Sequence, residues 1–213
     1  MLFQDRRHAG ELLAQKLLAY RGQSPLILAV PRGGVLVALP LWRSLGGELD
    51  LIITRKIGAP DQPELAVGAV TGEGHVLLNE SLAAQLRLPE GYVERASAEV
   101  QAEIKRRLEL YRGRRPLPDV EGRLVILVDD GVATGFTLRA ALQGIKRRQP
   151  QKLILAVPVG PPETLARLNK EVDEICCLEA PPYFAAVGQF YRDFRQVADS
   201  EVAAALNEAW RTS

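Results

Sequence analysis

The feature that most constrains the fold is an apolar run that ends in two carboxylates and leads through a loop into a helix. The run covers residues 124–128, the carboxylates are Asp129 and Asp130, and a helical pattern begins at Thr137. An uninterrupted apolar run of this length is typical of a strand buried in a parallel sheet. The succession of strand, loop and helix N-terminus therefore predicts an α/β fold.

The loop that joins this strand to the helix is rich in small and hydroxyl-bearing residues. Free N–H groups of such a loop and of the first helical turn converge on one point, where the helix dipole adds partial positive charge. Thr134 and Thr137 offer hydroxyl donors, and Gly135 lets the backbone approach a ligand closely. The pattern predicts a site for a phosphate group.

The two carboxylates need a separate explanation, because they cannot be there to bind the phosphate itself. Carboxylates in this position suit sugar hydroxyls, or a divalent cation that bridges sugar and phosphate. A ribose 5-phosphate therefore fits the whole loop. The alternative interpretation is a strand that ends in a polar turn, with Asp130 as a local turn former.

An earlier part of the chain repeats the order of strand, loop and helix. Apolar residues 25–30 precede a loop that contains Arg32, Gly33 and Gly34, and an apolar helical run follows at residues 35–45. A guanidinium beside exposed backbone N–H groups predicts a second anion site. A helix-start turn with a solvated arginine is the alternative.

Two further cations follow a third predicted strand, at residues 49–54. They are Arg55 and Lys56. Ligands of open α/β sheets bind outside the carboxyl ends of the strands, so this placement puts both cations near the same ligand. An ordinary basic turn is the alternative. Glycine and two prolines in residues 57–65 predict a mobile connector.

Composition and charge exclude several other classes of protein. The chain has 213 residues, of which 47% are hydrophobic and 25% charged, which is typical of a soluble globular protein. Its net charge of +1 argues against a nucleic-acid surface, and no apolar run reaches the ~18 residues of a membrane span. The N-terminus lacks the apolar core of a signal peptide, and no Cys/His metal spacing is present. We expect a cytoplasmic protein without nucleic-acid or membrane partners.

Residues 128–137, Val-Asp-Asp-Gly-Val-Ala-Thr-Gly-Phe-Thr, resemble the phosphoribosyl-pyrophosphate (PRPP) signature of type I phosphoribosyltransferases. The resemblance implies that Asp129 and Asp130 bind the ribose hydroxyls and act in catalysis. It also implies that they meet Mg²⁺ indirectly, through ribose, PRPP or water. The residues implied to hold the 5-phosphate are Ala133, Thr134, Gly135, Phe136 and Thr137.

The resemblance extends to the two other loops. Arg32, Gly33 and Gly34 would form the pyrophosphate loop, which in this family often holds a strained or cis peptide. Arg55 and Lys56 would be catalytic cations that approach the pyrophosphate. The connector after them would close over the reacting groups.

The acceptor is less well defined by the resemblance. Members that act on 6-oxopurines usually carry Asp where this chain has Ala133, so the loop is more similar to the adenine type. Four aromatic residues near the C-terminus are candidates to stack on a base, as the hood lobe does in the family. A satellite hydrophobic cluster or an oligomer contact is the alternative for these residues, which are Tyr183, Phe184, Phe190 and Tyr191.

The family fold implies a Rossmann-like parallel sheet of about five strands with helices on both faces, together with a small hood lobe. The whole chain, residues 1–213, is then a single phosphoribosyltransferase domain. Its core is expected at about 21–180, the hood and appended elements at about 1–20 and 181–213, and a helical insertion at about 79–115.

The implied reaction is Mg²⁺-dependent transfer of the 5-phosphoribosyl group from PRPP to a nitrogenous base or a similar small-molecule acceptor, with release of pyrophosphate. The alternative is a regulatory protein of the same fold that senses PRPP or a nucleotide and catalyses nothing. A dinucleotide dehydrogenase is disfavoured because no Gly-x-Gly-x-x-Gly follows a strand. The sequence selects no particular acceptor, and the oligomeric state stays open, with a homodimer as one option.

Overall fold

The computed structural model describes residues 2–113 and 115–211. Strands and helices alternate along this part of the chain, except that four strands and then two helices follow one another within residues 48–112, and short 3-10 turns lie at Leu18–Tyr20 and Val187–Phe190. The remaining elements, in chain order, are α1 (Arg6–Lys16), β1 (Leu26–Ala29), α2 (Gly33–Leu45), β2 (Glu48–Leu51), β3 (Thr54–Ala59), β4 (Gln62–Thr71), β5 (Val76–Leu78), α3 (Glu80–Gln85), α4 (Tyr92–Arg112), β6 (Leu124–Val128), α5 (Phe136–Arg147), β7 (Lys152–Val159), α6 (Pro162–Leu168), β8 (Glu174–Glu179) and α7 (Asp199–Arg211).

Five strands form a parallel sheet in the order β2-β1-β6-β7-β8. The apolar run predicted as a buried strand is β6, and every one of its residues is buried. Ala29 of β1 pairs with Val128 of β6, and Val128 pairs with Ala156 of β7. Because all pairs are parallel, the loops that follow β1 and β6 leave the sheet at the same edge. The predicted parallel α/β sheet is confirmed.

Helices cover both faces of this sheet. Successive side chains of a strand point to opposite faces, so Ile27 and Ile126 pack into one core with α1, α2 and α7. Leu28 and Leu127 pack into a second core with α5 and α6. None of the described helices is long and apolar enough to cross a membrane.

A second sheet holds the segment that was predicted to be the mobile connector. Strands β3, β4 and β5 form an antiparallel sheet of their own. Arg55 and Lys56 lie within β3, opposite Val70 and Ala69 of β4. The predicted strand at residues 49–54 is confirmed only in part, because the parallel strand β2 ends at Leu51. Most of the segment predicted as a connector, residues 57–65, instead belongs to the β3–β4 hairpin.

The glycine and proline of this hairpin explain why it was mistaken for a loop. The register between β3 and β4 shifts at Gly58, as in a β-bulge. A Cβ placed on Gly58 would lie 2.5 Å from the carbonyl oxygen of Pro63, so only glycine lets the two strands approach this closely. These residues break strands in most sequences, but here they form the irregular part of one.

The N-terminal segment and the segment after the second 3-10 turn run side by side. The N–H of Phe3 donates to the carbonyl oxygen of Phe190 (2.8 Å), and the N–H of Arg192 donates to the carbonyl oxygen of Phe3 (2.9 Å). Asp5 caps α1 by accepting a hydrogen bond from the N–H of His8 at 2.8 Å. This arrangement holds the first turn of α1 next to residues 190–195.

Candidate active site

Two glycine-containing loops touch each other at the carboxyl edge of the parallel sheet. A Cβ placed on Gly33, at the start of α2, would lie 1.9 Å from Oδ2 of Asp130. A Cβ on Gly34 would lie 2.8 Å from the carbonyl oxygen of Val128 and 3.0 Å from Cα of Asp129. The peptide bond between Pro31 and Arg32 in the first loop is cis. The structure thus brings the predicted anion loop of β1 directly against the two carboxylates that follow β6.

Hydrogen bonds engage one oxygen of each carboxyl group. Oδ1 of Asp129 accepts the N–H of Asp130 at 2.8 Å. Oδ2 of Asp130 accepts Nε–H of Arg6 at 2.6 Å. Among the described residues, the second oxygen of each carboxylate accepts no hydrogen bond. Two oriented acceptors at neighbouring positions suit a vicinal diol.

Burial dominates the electrostatics of this pair. It raises the pKa of Asp129 well above its ordinary value, and the neighbouring charge of Asp130 raises the pKa of Asp129 further. Burial also raises the pKa of Asp130, while the guanidinium of Arg6 opposes that rise. Two close carboxylates with a single guanidinium on one of them favour a ligand that brings hydroxyl donors or positive charge.

The loop from residue 131 to residue 137 has the form of an anion cradle. Gly135 caps the 12-residue helix α5 with φ +74°, a conformation that favours glycine. Oγ1–H of Thr164 donates to the carbonyl oxygen of Ala133 at 2.9 Å and so fixes the loop from behind. Within the described chain, the backbone N–H groups of residues 133–137 donate to no protein group. These free donors at a helix N-terminus, with the exposed Thr134 and half-buried Thr137 beside them, form a site suited to a phosphate.

The predicted cations lie on two elements, Arg32 at the N-cap of α2 and Arg55 and Lys56 on β3. Nη1 of Arg32 is 3.9 Å from Oδ1 of Asp199 at the start of α7. Asp199 also accepts a hydrogen bond from the hydroxyl of Tyr111. Burial is the main cause that raises the pKa of Tyr111 to about 12, and the charges of Arg32 and Arg107 oppose this rise. Arg32 and Arg107 of α4 therefore lie near the same hydroxyl group.

Arg55 and Lys56 do not face the same side. They are successive residues of β3, so their side chains point to opposite faces of the hairpin. Nη1 of Arg55 lies 3.2 Å from Oε1 of Glu103 on α4. Glu103 also accepts hydrogen bonds from Arg106 and Arg107, each at 2.8 Å. Arg55 thus joins a group of guanidinium side chains on α4, whereas Lys56 is exposed on the other face.

The aromatic candidates take three different positions. Tyr183 is 89% exposed. Phe184 and Phe190 stack on each other, with ring centroids 5.4 Å apart. Tyr191 is only 6% exposed, and its ring packs between those of Phe3 and Phe194. The burial of Tyr191 disfavours its predicted base-stacking role, because its ring packs against Phe3 and Phe194 instead.

The segment that carries these aromatics nevertheless lies against the carboxylate loop. A Cβ placed on Gly131 would lie 2.5 Å from Cγ1 of Val187. The hydroxyl of Tyr191 donates to the carbonyl oxygen of Asp130 at 2.6 Å. Burial raises the pKa of Tyr191, which keeps this hydroxyl protonated and able to donate.

Sequence reasoning missed Arg6 altogether. Its partner Asp130 lies 124 residues away, so no local pattern connects the two. One signal was available, because a cation at the first position of a helix opposes the helix dipole and is locally unfavourable. Such a residue needs a compensating contact, and here the contact is a buried carboxylate.

The two carboxylates of Asp129 and Asp130 are the predicted donors for a metal. Across residues 2–113 and 115–211, no group of three or more His, Cys, Asp or Glu side chains could hold a metal ion. Mg²⁺ is usually held by one or two carboxylates, substrate phosphates and water. Asp129 and Asp130 fit that mode, in which the ligand supplies most of the coordinating oxygens.

Comparisons with known proteins agree with this geometry. The family model described as the phosphoribosyl transferase domain matches residues 4–195. Curated proteins from two strains of Mycobacterium tuberculosis, provisionally named phosphoribosyl transferases, are each 41% identical over 210 residues. These matches cover 99% of this chain and 47% of each relative, so the chain spans about half the length of the curated relatives it matches. The crystal structure of TT1426 from Thermus thermophilus is 44% identical, with a TM-score of 0.84 over 98% of this chain and 99% of that one.

Proposed function

The chain belongs to the phosphoribosyl transferase family, and on this premise we propose that it transfers the 5-phosphoribosyl group of PRPP to a nitrogenous base or a similar nucleophile and releases pyrophosphate. The observation that carries the proposal is the contact of Gly33 and Gly34 with Asp130 and Asp129. It supports a single ligand that reaches from the α5 N-terminus, across the carboxylates, to the loop of Arg32.

PRPP is proposed to bind along this line. Its 5-phosphate accepts the free N–H groups of residues 133–137 and the hydroxyls of Thr134 and Thr137. Its ribose hydroxyls donate to the open oxygens of Asp129 and Asp130. The remote phosphate thereby supplies binding energy that holds the anomeric carbon in place.

The reaction is a displacement at the anomeric carbon. The bond from this carbon to pyrophosphate oxygen breaks, a bond to the nucleophile forms, and the electron pair leaves with pyrophosphate. Arg32 is proposed to stabilise the negative charge that develops there, together with one of the two cations Arg55 and Lys56, which point to opposite faces of β3. The carboxylates of Asp129 and Asp130 stabilise the positive charge that develops on the ribose ring.

Mg²⁺ is the proposed cofactor. When bound to PRPP it would offset the charge of the pyrophosphate as a Lewis acid. Asp129 and Asp130 would hold it through PRPP oxygens or water, so that the ligand supplies most of the coordinating oxygens. The acceptor is proposed to bind under residues 181–190, where Phe184, Phe190 and the exposed ring of Tyr183 offer flat apolar surface.

The proposal is tested by measuring pyrophosphate release from PRPP and Mg²⁺ in the presence of a panel of purines and pyrimidines. We expect at least one acceptor to give turnover, and we expect omission of PRPP or of Mg²⁺ to abolish it. PRPP binding without turnover for any acceptor would instead support the sensor alternative. Absence of both binding and turnover would contradict the proposal.

Replacing Gly135 by alanine tests the phosphate loop. The residue has φ +74°, and a Cβ would lie 2.7 Å from Cγ2 of Thr164. The loop must shift, so its N–H groups lose alignment. We expect PRPP affinity to fall by about tenfold to a hundredfold, the equivalent of one hydrogen bond to a charged group. Calorimetric titration with PRPP measures this change.

Gly122 provides the matched control for this substitution. It also has a positive φ, +66°, but nothing lies within 4 Å of a Cβ placed on it. Gly122→Ala should cost about 1 kcal/mol of stability through backbone strain and leave PRPP affinity unchanged. Equal PRPP affinity in the two alanine variants would count against a phosphate site at residues 133–137.

A further inference from the structure

The guanidinium of Arg6 lies where three separate segments of the chain meet. Its Nε–H donates to Oδ2 of Asp130 at 2.6 Å, and Nη1–H donates to the carbonyl oxygen of Arg195 at 2.9 Å. Its Cζ lies 3.9 Å from the ring centroid of Phe194. The side chain is 10% exposed. Hydrogen bonds on two sides and an aromatic ring on a third leave the guanidinium a single position.

The location of Arg6 in α1 is not explained by the stability of that helix. Arg6 is the first residue of α1, directly after the cap Asp5, where a positive charge is unfavourable. Its neighbour Arg7 is exposed to solvent. A positive charge in the first turn of α1 is unfavourable for both Arg6 and Arg7. Only Arg6 has buried contacts that offset this cost.

Asp130 is in turn held from outside its own loop at two points. Arg6 takes one carboxylate oxygen, and the hydroxyl of Tyr191 takes the backbone carbonyl oxygen at 2.6 Å. The Arg6–Asp130 pair also borders the pyrophosphate loop, because a Cβ on Gly33 would lie 2.7 Å from Nε of Arg6. With one oxygen anchored and the backbone fixed, the other carboxylate oxygen has a defined direction.

We propose that Arg6 is a positioning residue for Asp130, which aims the open oxygen of that carboxylate at a ribose hydroxyl of PRPP. The inference rests on the proposed function and adds to it a residue from the N-terminal helix. Arg6 itself does not touch the ligand in this scheme. Its Nε and Nη1 are directed at Asp130 and Arg195, and one face of the guanidinium is covered by Phe194.

Substitution of Arg6 by glutamine, with Arg7→Gln as the matched control, tests this role. Both variants remove one positive charge from the same turn of α1. We expect Arg6→Gln to lower kcat by about ten- to a hundredfold, the usual effect of losing a group that orients a functional side chain. KM for PRPP should rise by much less, since the aimed carboxylate acts mainly on charge that develops in the transition state. Arg7→Gln should match the wild type.

Two further variants distinguish positioning from general support of the fold. Arg6→Lys keeps the charge and should recover part of the loss in kcat. In an Asp130→Asn background, Arg6→Gln should lower kcat by less than about a further twofold, because its effect passes through that carboxylate. A purely structural Arg6 would lower kcat by the same factor in that background as in the wild type. Circular dichroism shows whether each variant is folded.

The outcomes separate this inference from the proposed function. If the wild-type chain turns over PRPP and Arg6→Gln has the same kcat, only the proposed role of Arg6 is overturned. An undiminished effect of Arg6→Gln in the Asp130→Asn background also overturns that role. A wild-type chain that binds PRPP without turnover overturns the proposed reaction, and equal PRPP affinity in Arg6→Gln and Arg7→Gln would then overturn the role of Arg6 as well. A wild-type chain that does not bind PRPP overturns both.

Discussion

Replacing Asp130 by asparagine is expected to lower kcat by about 10²–10³-fold, comparable to the loss of one group that stabilises transition-state charge directly. The amide keeps the size of the side chain but removes the negative charge beside the ribose. It also replaces one of the two oxygen acceptors with an NH₂ group. The single oxygen that remains can accept a hydrogen bond from Arg6 or from the ribose hydroxyl, but not from both. Steady-state kinetics with PRPP and the acceptor identified in the panel measure the change.

The fold should survive this substitution, which makes the kinetic result interpretable. Burial raises the pKa of Asp130, so the surroundings disfavour the charge even though Arg6 favours it. Removing the charge relieves that burial cost, and the amide oxygen can still accept Nε–H of Arg6. Because these changes oppose each other, the free energy of unfolding should fall by about 1 kcal/mol or less.

Asp119→Asn is the control for the same chemical change at an exposed position away from the carboxylate loop. Oδ1 of Asp119 accepts the local N–H of Glu121, at 3.2 Å. Its substitution should leave kcat and thermal stability unchanged. If Asp130→Asn stayed within about threefold of the wild type in kcat, Asp130 would not be the catalytic carboxylate proposed here.

The parallel sheet and its ligand-binding edge could be predicted because their signals are local. The run at residues 124–128 is entirely apolar, so only a buried strand accommodates it. A parallel sheet then brings the ends of such strands to one edge, and the loops of Arg32 and Asp129 must be neighbours. That neighbourhood appears in the structure as the contact between Gly34 and Asp129.

The parts that sequence reasoning missed depend on contacts between distant residues. Gly58 and Pro63 looked like loop residues because their role is to let two strands approach at a bulge, which the sequence does not reveal. The role of Arg6 has no local signal because its partner Asp130 is 124 residues away in the chain. Tyr191 looked like a stacking platform, but its hydroxyl is used to hold Asp130 and its ring fills a core.

The second large effect concerns stability, and it is expected for Arg112→Met. Nη2 of Arg112, at the end of α4, lies 2.7 Å from Oδ1 of Asp50 and 2.9 Å from the carbonyl oxygen of Leu51. Asp50 is 0% and Arg112 7% exposed. Oδ2 of Asp50 has no hydrogen-bond partner among the described residues. Removing the arginine would therefore leave a buried carboxylate with little compensation.

The expected loss in the free energy of unfolding is about 3–5 kcal/mol, the usual cost of breaking a buried ion pair from one side. Urea denaturation of wild type and variant measures it. Arg106→Met is the matched control on the same helix, because the side chain of Arg106 is 65% exposed. Its stability should change by no more than about 0.5 kcal/mol. The double variant Asp50→Leu, Arg112→Met should recover most of the loss, since no buried charge remains.

The loss caused by Arg112→Met should also depend on pH, with a sign that follows from Asp50. Burial already raises the pKa of Asp50 in the folded protein, and Arg112 opposes that rise. Without Arg112 the folded-state pKa rises further above the unfolded value, so the folded variant binds a proton more tightly than the unfolded chain. The deficit should therefore be smaller near about pH 5 than near about pH 8. A deficit that grows on acidification would show that the Asp50 charge is not its cause. The Asp50–Arg112 pair also joins α4 to β2, the edge strand of the parallel sheet. Since α4 carries Glu103, which contacts Arg55, the pair connects the cationic side of the proposed site to the sheet whose strand β6 leads to Asp129 and Asp130.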